Sequence, residues 1–267
     1  MHRAHFEVVA DVDQRHWWFL ARRKILRDVL ACVLPPDRNT TVIDVGCGAG
    51  ANIAALADDY RCIGIDTSQD AVTFAQQRFP NVQFLCGYAP ADLGESAAQA
   101  RAMLLMDVLE HVEDDRAVFE PLVRSLQPGA IMLVTVPADM RLWSAHDEGL
   151  LHFRRYDESM LRTLWKGLPL EPIATTHFCT RLYPLARVER SIGRLRNRVL
   201  KPRDVWDMRV PAGPINRLLE RTFEGESRTL VDFVQGRRPS GYSYGVSLLA
   251  LLRRTDDSAN PHRNGVR

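Results

Sequence analysis

No stretch of this sequence is apolar for long enough to cross a membrane. The most hydrophobic run, AIMLVTVPA from Ala130 to Ala138, falls far short of the roughly 20 residues a spanning helix requires. The opening MHRAHFEVVADVDQRHWW lacks the uninterrupted apolar core of a secretory signal. Excess charge of either sign is missing too. With 35 Lys and Arg against 33 Asp and Glu the net charge is +2, so the overall electrostatics call for neither nucleic acid nor an anionic surface. Cysteine is scarce and unpatterned. Cys32, Cys47, Cys62, Cys86 and Cys179 show no C-x-x-C spacing, and several sit in apolar runs, so reduced, buried thiols are expected rather than a disulfide framework. Internal repeats and low-complexity segments are absent. These absences predict a cytoplasmic globular chain, and 267 residues suffice for one domain with a large core.

What is present is a rhythm. From Thr41 to Pro137, strand-length apolar runs alternate with helix-length amphipathic ones: TVIDV, then NIAALADD, RCIGID, QDAVTFAQQRF, VQFLC, RAMLLMD, DDRAVFEPLVRSL and AIMLVTV. This alternation predicts βαβ units, a parallel sheet and right-handed crossovers. Ser68 is placed to cap its helix and Pro80 to stop it. Before the sheet, Gln14 to Val33 reads as an amphipathic helix with Pro35-Pro36 beyond it. After Pro137 a polar loop leads to Asp157 as the cap of ESMLRTLWKGL. EPIATTHFCT then reads as a sixth strand, Pro184–Lys201 and Pro214–Gln235 as helices, GYSYGVSLLALLRR as a last strand, and the end as a disordered polar tail.

The first strand ends in VIDVGCGAGAN, which puts Asp44, Gly46, Gly48 and Gly50 between a strand and a helix. A turn without side chains lets a ligand approach the backbone, and N–H groups at a helix start favour polar or anionic groups. Asp66 closes the second strand, where a carboxylate can accept from ribose hydroxyls. Gly46-x-Gly48-x-x-Ala51 also satisfies the loose nicotinamide fingerprint. An acid two residues before the first glycine would repel a pyrophosphate, however, and suits a ligand carrying an ammonium and a sulfonium, which is S-adenosylmethionine.

VIDVGCGAG, Asp66 and MDVLEHVEDD together resemble the class I S-adenosylmethionine-dependent methyltransferases. HWWFLARRKIL and LWSAHDEGLLHFRRY are similar to a bacterial branch of them that modifies small molecules and lipids. The resemblance runs from about Arg15 to Arg253. It implies an α/β, Rossmann-like seven-stranded sheet with the last strand antiparallel, helices on both faces, an N-terminal helical lid and a helical insertion before the last strand. It implies that Asp44 orients the glycine loop or meets the methionine amino group, and that the loop of Gly46, Cys47, Gly48, Gly50 and Asn52 passes beneath the methionine. Asp66 would hold the ribose, with Thr67 beside the adenine. Asp107, Val108 and His111 would border the methionine and the acceptor, and Arg22 or Arg23 would reach the methionine carboxylate. The chain departs from the family pattern at Tyr88, where many relatives place an acid near the adenine; Tyr88 is the expected substitute contact.

Methyl transfer from a sulfonium needs alignment and exclusion of water more than activation, so such enzymes share no fixed catalytic residue. A hydroxyl acceptor gains from a base. WSAHDEGLLHFRRY supplies His146, His152 and Tyr156 as candidates to face an acceptor, with Glu110 read as a solvated or capping acid. Arg154 or Arg155 reads as structural; in the purely structural alternative Arg154, Arg155 and Tyr156 together clamp the loop to the sheet and cap the next helix. A metal site of His146, Asp147 and His152 is not expected, since no thiolate or helical histidine pair supports it. Trp17, Trp18 and Phe19 are adjacent and cannot share one helix face. In 182–203, apolar residues recur through Leu185, Val188 and Ile192 among seven arginines and lysines, a pattern that admits peripheral membrane or lipid-substrate contact.

The expected organisation is one methyltransferase domain over 1–253, with a lid over 1–36, a cofactor-binding core over 37–137, an acceptor cap and insertion over 138–240 and the final strand over 241–253. A tail over 254–267 follows. The expected activity is methyl transfer to a small-molecule or lipid-like acceptor, oxygen first, with no nucleic acid partner. Three rivals remain: an S-adenosylmethionine-binding protein that does not methylate, such as a cyclase or regulator; a nicotinamide oxidoreductase; and an RNA methyltransferase.

Overall fold

The computed structural model describes residues 11–195 and 210–256. A seven-stranded sheet runs in the order β3-β2-β1-β4-β5-β7-β6. Its strands are β1 (Asp37–Val45), β2 (Tyr60–Asp66), β3 (Gln83–Cys86), β4 (Ala102–Met106), β5 (Ile131–Pro137), β6 (Leu170–Phe178) and β7 (Ser247–Arg254). The ladders from β3 through β5 are parallel, while β7 lies antiparallel to both β5 and β6. This is the sheet the resemblance implied.

Alternate strand residues feed two cores, as the two-residue period requires. Val42, Leu104, Leu133 and Leu251 pack on one face against α1 (Trp17–Val33), and Ile43, Met103, Met132 and Leu252 on the other against α5 (Asp115–Ser125). Between these helices come α2 (Ala51–Ala54), α3 (Gln69–Arg78) and α4 (Glu95–Gln99). The helix α4 has no counterpart in the sequence reading: five residues give too little periodicity to read. Caps set the boundaries. Ser68 accepts from the Ala71 N–H, Asp114 from Ala117 and His16 Nδ1 from Trp18. Because His16 caps, α1 opens at Trp17, after a separate helical turn over 11–15.

After β5 the chain forms α6 (Ala145–Gly149), α7 (Glu158–Thr163), α8 (Tyr183–Leu195), α9 (Gly213–Glu224) and α10 (Ser227–Val234). Asp157 caps α7 as expected, by accepting from Met160. The helix read over Pro214–Gln235 is broken in two. Glu226, fully buried, turns inward to accept from the Arg181 N–H, so the chain changes direction there. The final strand begins at Ser247 rather than 241. Tyr242 joins His177 by a single bridge, and Gly245 passes so close to Phe178 that a Cβ would strike its carbonyl. Arg254, read as the first residue of the tail, belongs to β7 and donates to the Val123 carbonyl at 3.1 Å. The rest of the tail from 257 and the segment 196–209, including the last third of the helix read over Pro184–Lys201, lie outside the described residues. The cysteines are unpaired and Cys47, Cys62 and Cys179 are buried, but Cys86 is exposed at the end of edge strand β3. Among the described residues no helix is long and apolar enough to cross a membrane.

Candidate active site at the carboxyl edge of the sheet

The ends of β1, β2, β4 and β5 converge on one edge, where open α/β sheets bind their ligands. Gly46, Gly48 and Gly50 all adopt positive φ, at 72°, 52° and 81°. Gly46 and Cys47 donate to the Ile65 carbonyl at 2.8 and 3.1 Å, which ties the loop to β2. A Cβ at Gly46 would stand 2.7 Å from Val108 Cγ2, whereas nothing lies within 4 Å of one at Gly48, where the loop faces open space. Asn52 is half-buried in α2.

Asp44 lies beneath this loop, 1% exposed, and its Oδ2 has no hydrogen-bond partner. Burial pushes its pKa up to about 8, with Arg22 opposing and Asp66 adding to the rise. A buried carboxylate left unpaired is costly, and a cationic ligand above it would repay that cost. Asp66 is already engaged: Oδ2 accepts from Gly48 and Oδ1 from Ser68, each at 2.8 Å. Thr67, next in the chain, is exposed. Tyr88 is 72% exposed, and its backbone N–H donates to Asp92 Oδ2 at 2.7 Å. Asp92 is a residue the sequence reading missed. An acid does stand beside the β3 turn, four positions later than expected, brought back by the turn at Ala91–Leu93.

Arg22 is 2% exposed. Its Nη2 donates to Thr135 Oγ1 at 2.7 Å and pairs with Asp107 Oδ2 at 2.8 Å, while its Nε stays buried without a partner. The guanidinium also stacks 5.1 Å from the Trp18 ring. Arg22 is therefore drawn into the sheet edge, and α1 forms a packed layer through Ile25, Leu26, Val29 and Leu30 rather than standing free above it. Arg23 donates instead to the Asp13 carbonyl at 2.6 Å. Trp17, Trp18 and Phe19 are each half-buried, with Trp17 edge-on to Phe223. Asp107 holds a positive φ of 59° and also accepts from Thr135 Oγ1 at 3.2 Å.

The histidine-rich loop folds as α6 with a capping box. Ser144 caps the helix, and Asp147 Oδ2 accepts from the Ser144 N–H at 3.0 Å. The other oxygen, Asp147 Oδ1, takes His152 Nδ1 at 3.1 Å and Arg155 Nε at 2.7 Å. Burial opposes ionisation of Asp147, but His152 and Arg155 outweigh it and hold the carboxyl well below the usual range. Arg155 also donates to the Ala138 carbonyl at 3.0 Å, which fastens the loop to the end of β5. Arg154 pairs with Asp115 at 2.9 Å, so both arginines are clamps. His152 lies edge-on to His111, ring centroids 4.6 Å apart. His146 is half-buried, its pKa lowered to about 4 by burial and by Arg190, which reaches from α8 to Ser144 Oγ at 2.8 Å.

Two readings are corrected here. Tyr156 has no exposed surface: its ring lies in the core and its hydroxyl donates to Asp115 at 2.7 Å, so it cannot touch an acceptor. Glu110 is not solvated but 1% exposed, because the Phe153 N–H folds the loop back onto its carbonyl at 2.7 Å.

Comparison with known proteins fits this geometry. Residues 42–129 match the family described as "Methyltransferase domain". The trans-aconitate 2-methyltransferase of Azoarcus sp. (strain BH72) is 32% identical over 131 residues, 47% of this chain and 50% of that protein. The ubiquinone biosynthesis O-methyltransferase of Caulobacter vibrioides is 31% identical over 104 residues, 37% and 41% of the two chains. The match thus spans half or less of these curated relatives. In overall fold, a chain of the complex between the Haloferax volcanii Trm112 methyltransferase activator and a methyltransferase superposes with TM-score 0.58 at 18% identity, covering 95% of both chains. The [4+2]-cyclase SpnF does so with TM-score 0.51 at 19% identity, covering 87% of this chain and 81% of that one.

Proposed function

We propose that this chain, whose sheet and glycine loop are those of a class I S-adenosylmethionine-dependent methyltransferase, transfers a methyl group to an oxygen of a small-molecule or lipid-like acceptor. S-adenosylmethionine supplies an electrophilic methyl on a sulfonium. The residues present fit it: Asp44 offers a buried unpaired carboxylate to its ammonium, the Gly46–Gly50 loop a surface free of side chains, and Asp66 acceptors for hydroxyls. Arg22 fixes Asp107 at the border between cofactor and acceptor.

The observation that carries an oxygen acceptor is the Asp147–His152 pair. An ionised Asp147 carboxylate can only accept, so the His152 Nδ1 bonded to it is the donor and, in the neutral ring, Nε2 is the lone pair. A lone pair beside His111 at this edge can receive a hydroxyl proton, directly or by drawing the oxygen into place. The relatives named for trans-aconitate and for ubiquinone-biosynthesis O-methylation support small acceptors.

The test is a screen of small-molecule extracts with radiolabelled cofactor, followed by His152→Ala on any labelled acceptor. Turnover should fall about 10²–10⁴-fold with cofactor affinity nearly unchanged. Equal loss of cofactor affinity would make the loop a scaffold. The reading as a protein that binds cofactor without methylating is kept by the likeness in fold to a cyclase; it predicts cofactor binding with no S-adenosylhomocysteine released by any acceptor. A lipid-like acceptor draws support from Leu185, Val188 and Ile192, which stand exposed on α8. Co-sedimentation with anionic but not neutral liposomes is the expected result, and none with either counts against it.

A further inference from the structure

We propose that Glu110, His111 and His152 form a binding site for a divalent cation at the acceptor side of the sheet edge. One ligand atom from each residue lies within 4.8 Å of the other two, although Glu110 and His152 are far apart in sequence.

Three further observations point to an ion rather than to a chance cluster. Each histidine has one ring nitrogen already committed: His152 Nδ1 to Asp147, and His111 to the backbone of Leu150. Imidazoles that bind metals are held in this way, with the outer nitrogen donating to a carboxylate or carbonyl and the inner one left as a lone pair. Second, Asp147 is itself braced by Arg155, which is tied to the Ala138 carbonyl, so His152 is aimed by a chain of buried bonds. Third, Glu110 Oε2 is buried with no hydrogen-bond partner. A cation beside it would remove that penalty.

Two nitrogens and one carboxylate, with no thiolate, suit a divalent cation of intermediate hardness, such as Mn²⁺, Co²⁺ or Zn²⁺, over Ca²⁺. Three protein ligands leave coordination positions open, and His111 is on the exposed side, where an acceptor can reach the ion. The ion's role rests on the methyl-transfer reading and takes the place of His152 as a free base: with Nε2 on the ion, an acceptor hydroxyl bound there would be oriented, and would lose its proton to solvent more readily. Its binding does not rest on that reading.

The test uses full-length protein stripped of metal, titrated with Mn²⁺ by electron paramagnetic resonance and with Co²⁺ by visible absorption. One ion per chain is expected, with nitrogen ligation in the Co²⁺ spectrum. His111→Ala, at an exposed position, and Glu110→Gln, which keeps the shape of a neutral carboxyl, should each weaken binding at least about tenfold; Asp147→Asn should weaken it about 10–100-fold through His152. An unchanged far-UV circular dichroism spectrum and melting temperature in His111→Ala would show that the fold persists. No uptake at millimolar ion, or uptake indifferent to His111→Ala and Glu110→Gln, overturns the site. Binding that follows these variants supports it even if no acceptor is ever labelled, which would count against methyl transfer alone. Labelling that survives chelation, in protein that takes up no ion, would sink the site and leave methyl transfer standing.

Discussion

Arg22, on the second turn of α1, ends 2.8 Å from Asp107 just past β4, so the N-terminal helix and the cofactor edge are joined by an ion pair that is buried on the arginine side. Asp44 also feels this guanidinium. Removing one partner of such a pair leaves uncompensated charge, at a cost of roughly 3 kcal/mol. Arg22→Met should therefore lower the melting temperature by about 6–12 degrees for a chain of this size. Scanning calorimetry measures it. A shift within about one degree would mean that solvent replaces the guanidinium.

Cofactor binding should expel a proton. At neutral pH free Asp44, with its pKa near 8, is largely protonated, and an ammonium above it requires the ionised form. Calorimetry in buffers of different ionisation heat should record release of up to about one proton near pH 7, and affinity should rise toward pH 8 by at most about tenfold per unit. Asp44→Asn should bind weakly and release none.

The same residue should tilt the stability profile. Its folded pKa lies above its unfolded value of 3.8, so the folded state holds more protons between that value and about 8. Stability of the free protein should fall as pH rises through this window and level off above it. Urea midpoints for Asp44→Asn should lack that decline.

His146 acts on the acid side. Burial, then Arg190, depress its folded pKa to about 4 against 6.5 unfolded, so the unfolded chain takes up the proton first as pH falls. Stability present above 6.5 is lost progressively down to about 4. His146→Gln should flatten part of that loss in urea titrations; an unchanged slope would place the histidine in water.

Gly50 should resist substitution. It sits at φ 81°, and an added Cβ would stand 2.7 Å from Phe84 Cζ. Gly50→Ala should cost about 1–3 kcal/mol from backbone strain alone, with cofactor affinity falling as the loop shifts. Gly48→Ala, with open space where its Cβ would point, should differ by its effect on cofactor binding.

Sequence by itself determined the alternation of strands and helices, the glycine turn, Asp44 and Asp66, and the caps Ser68 and Asp157, because these depend on neighbours within a few positions: period, backbone freedom and a side chain reaching its own helix start. It also marked one of Arg154 and Arg155 as structural, and the structure makes both of them clamps. Tertiary structure alone decided where the polar side chains of the edge end. Glu110 is buried where the Phe153 N–H ties the loop to its carbonyl, Tyr156 is held in the core with its hydroxyl on Asp115, and Arg22 is turned inward by Asp107 and Thr135. His111 and His152 meet across forty positions of chain for the same reason. Burial and charge pairing are sums over groups distant in sequence, and no local pattern carries that sum.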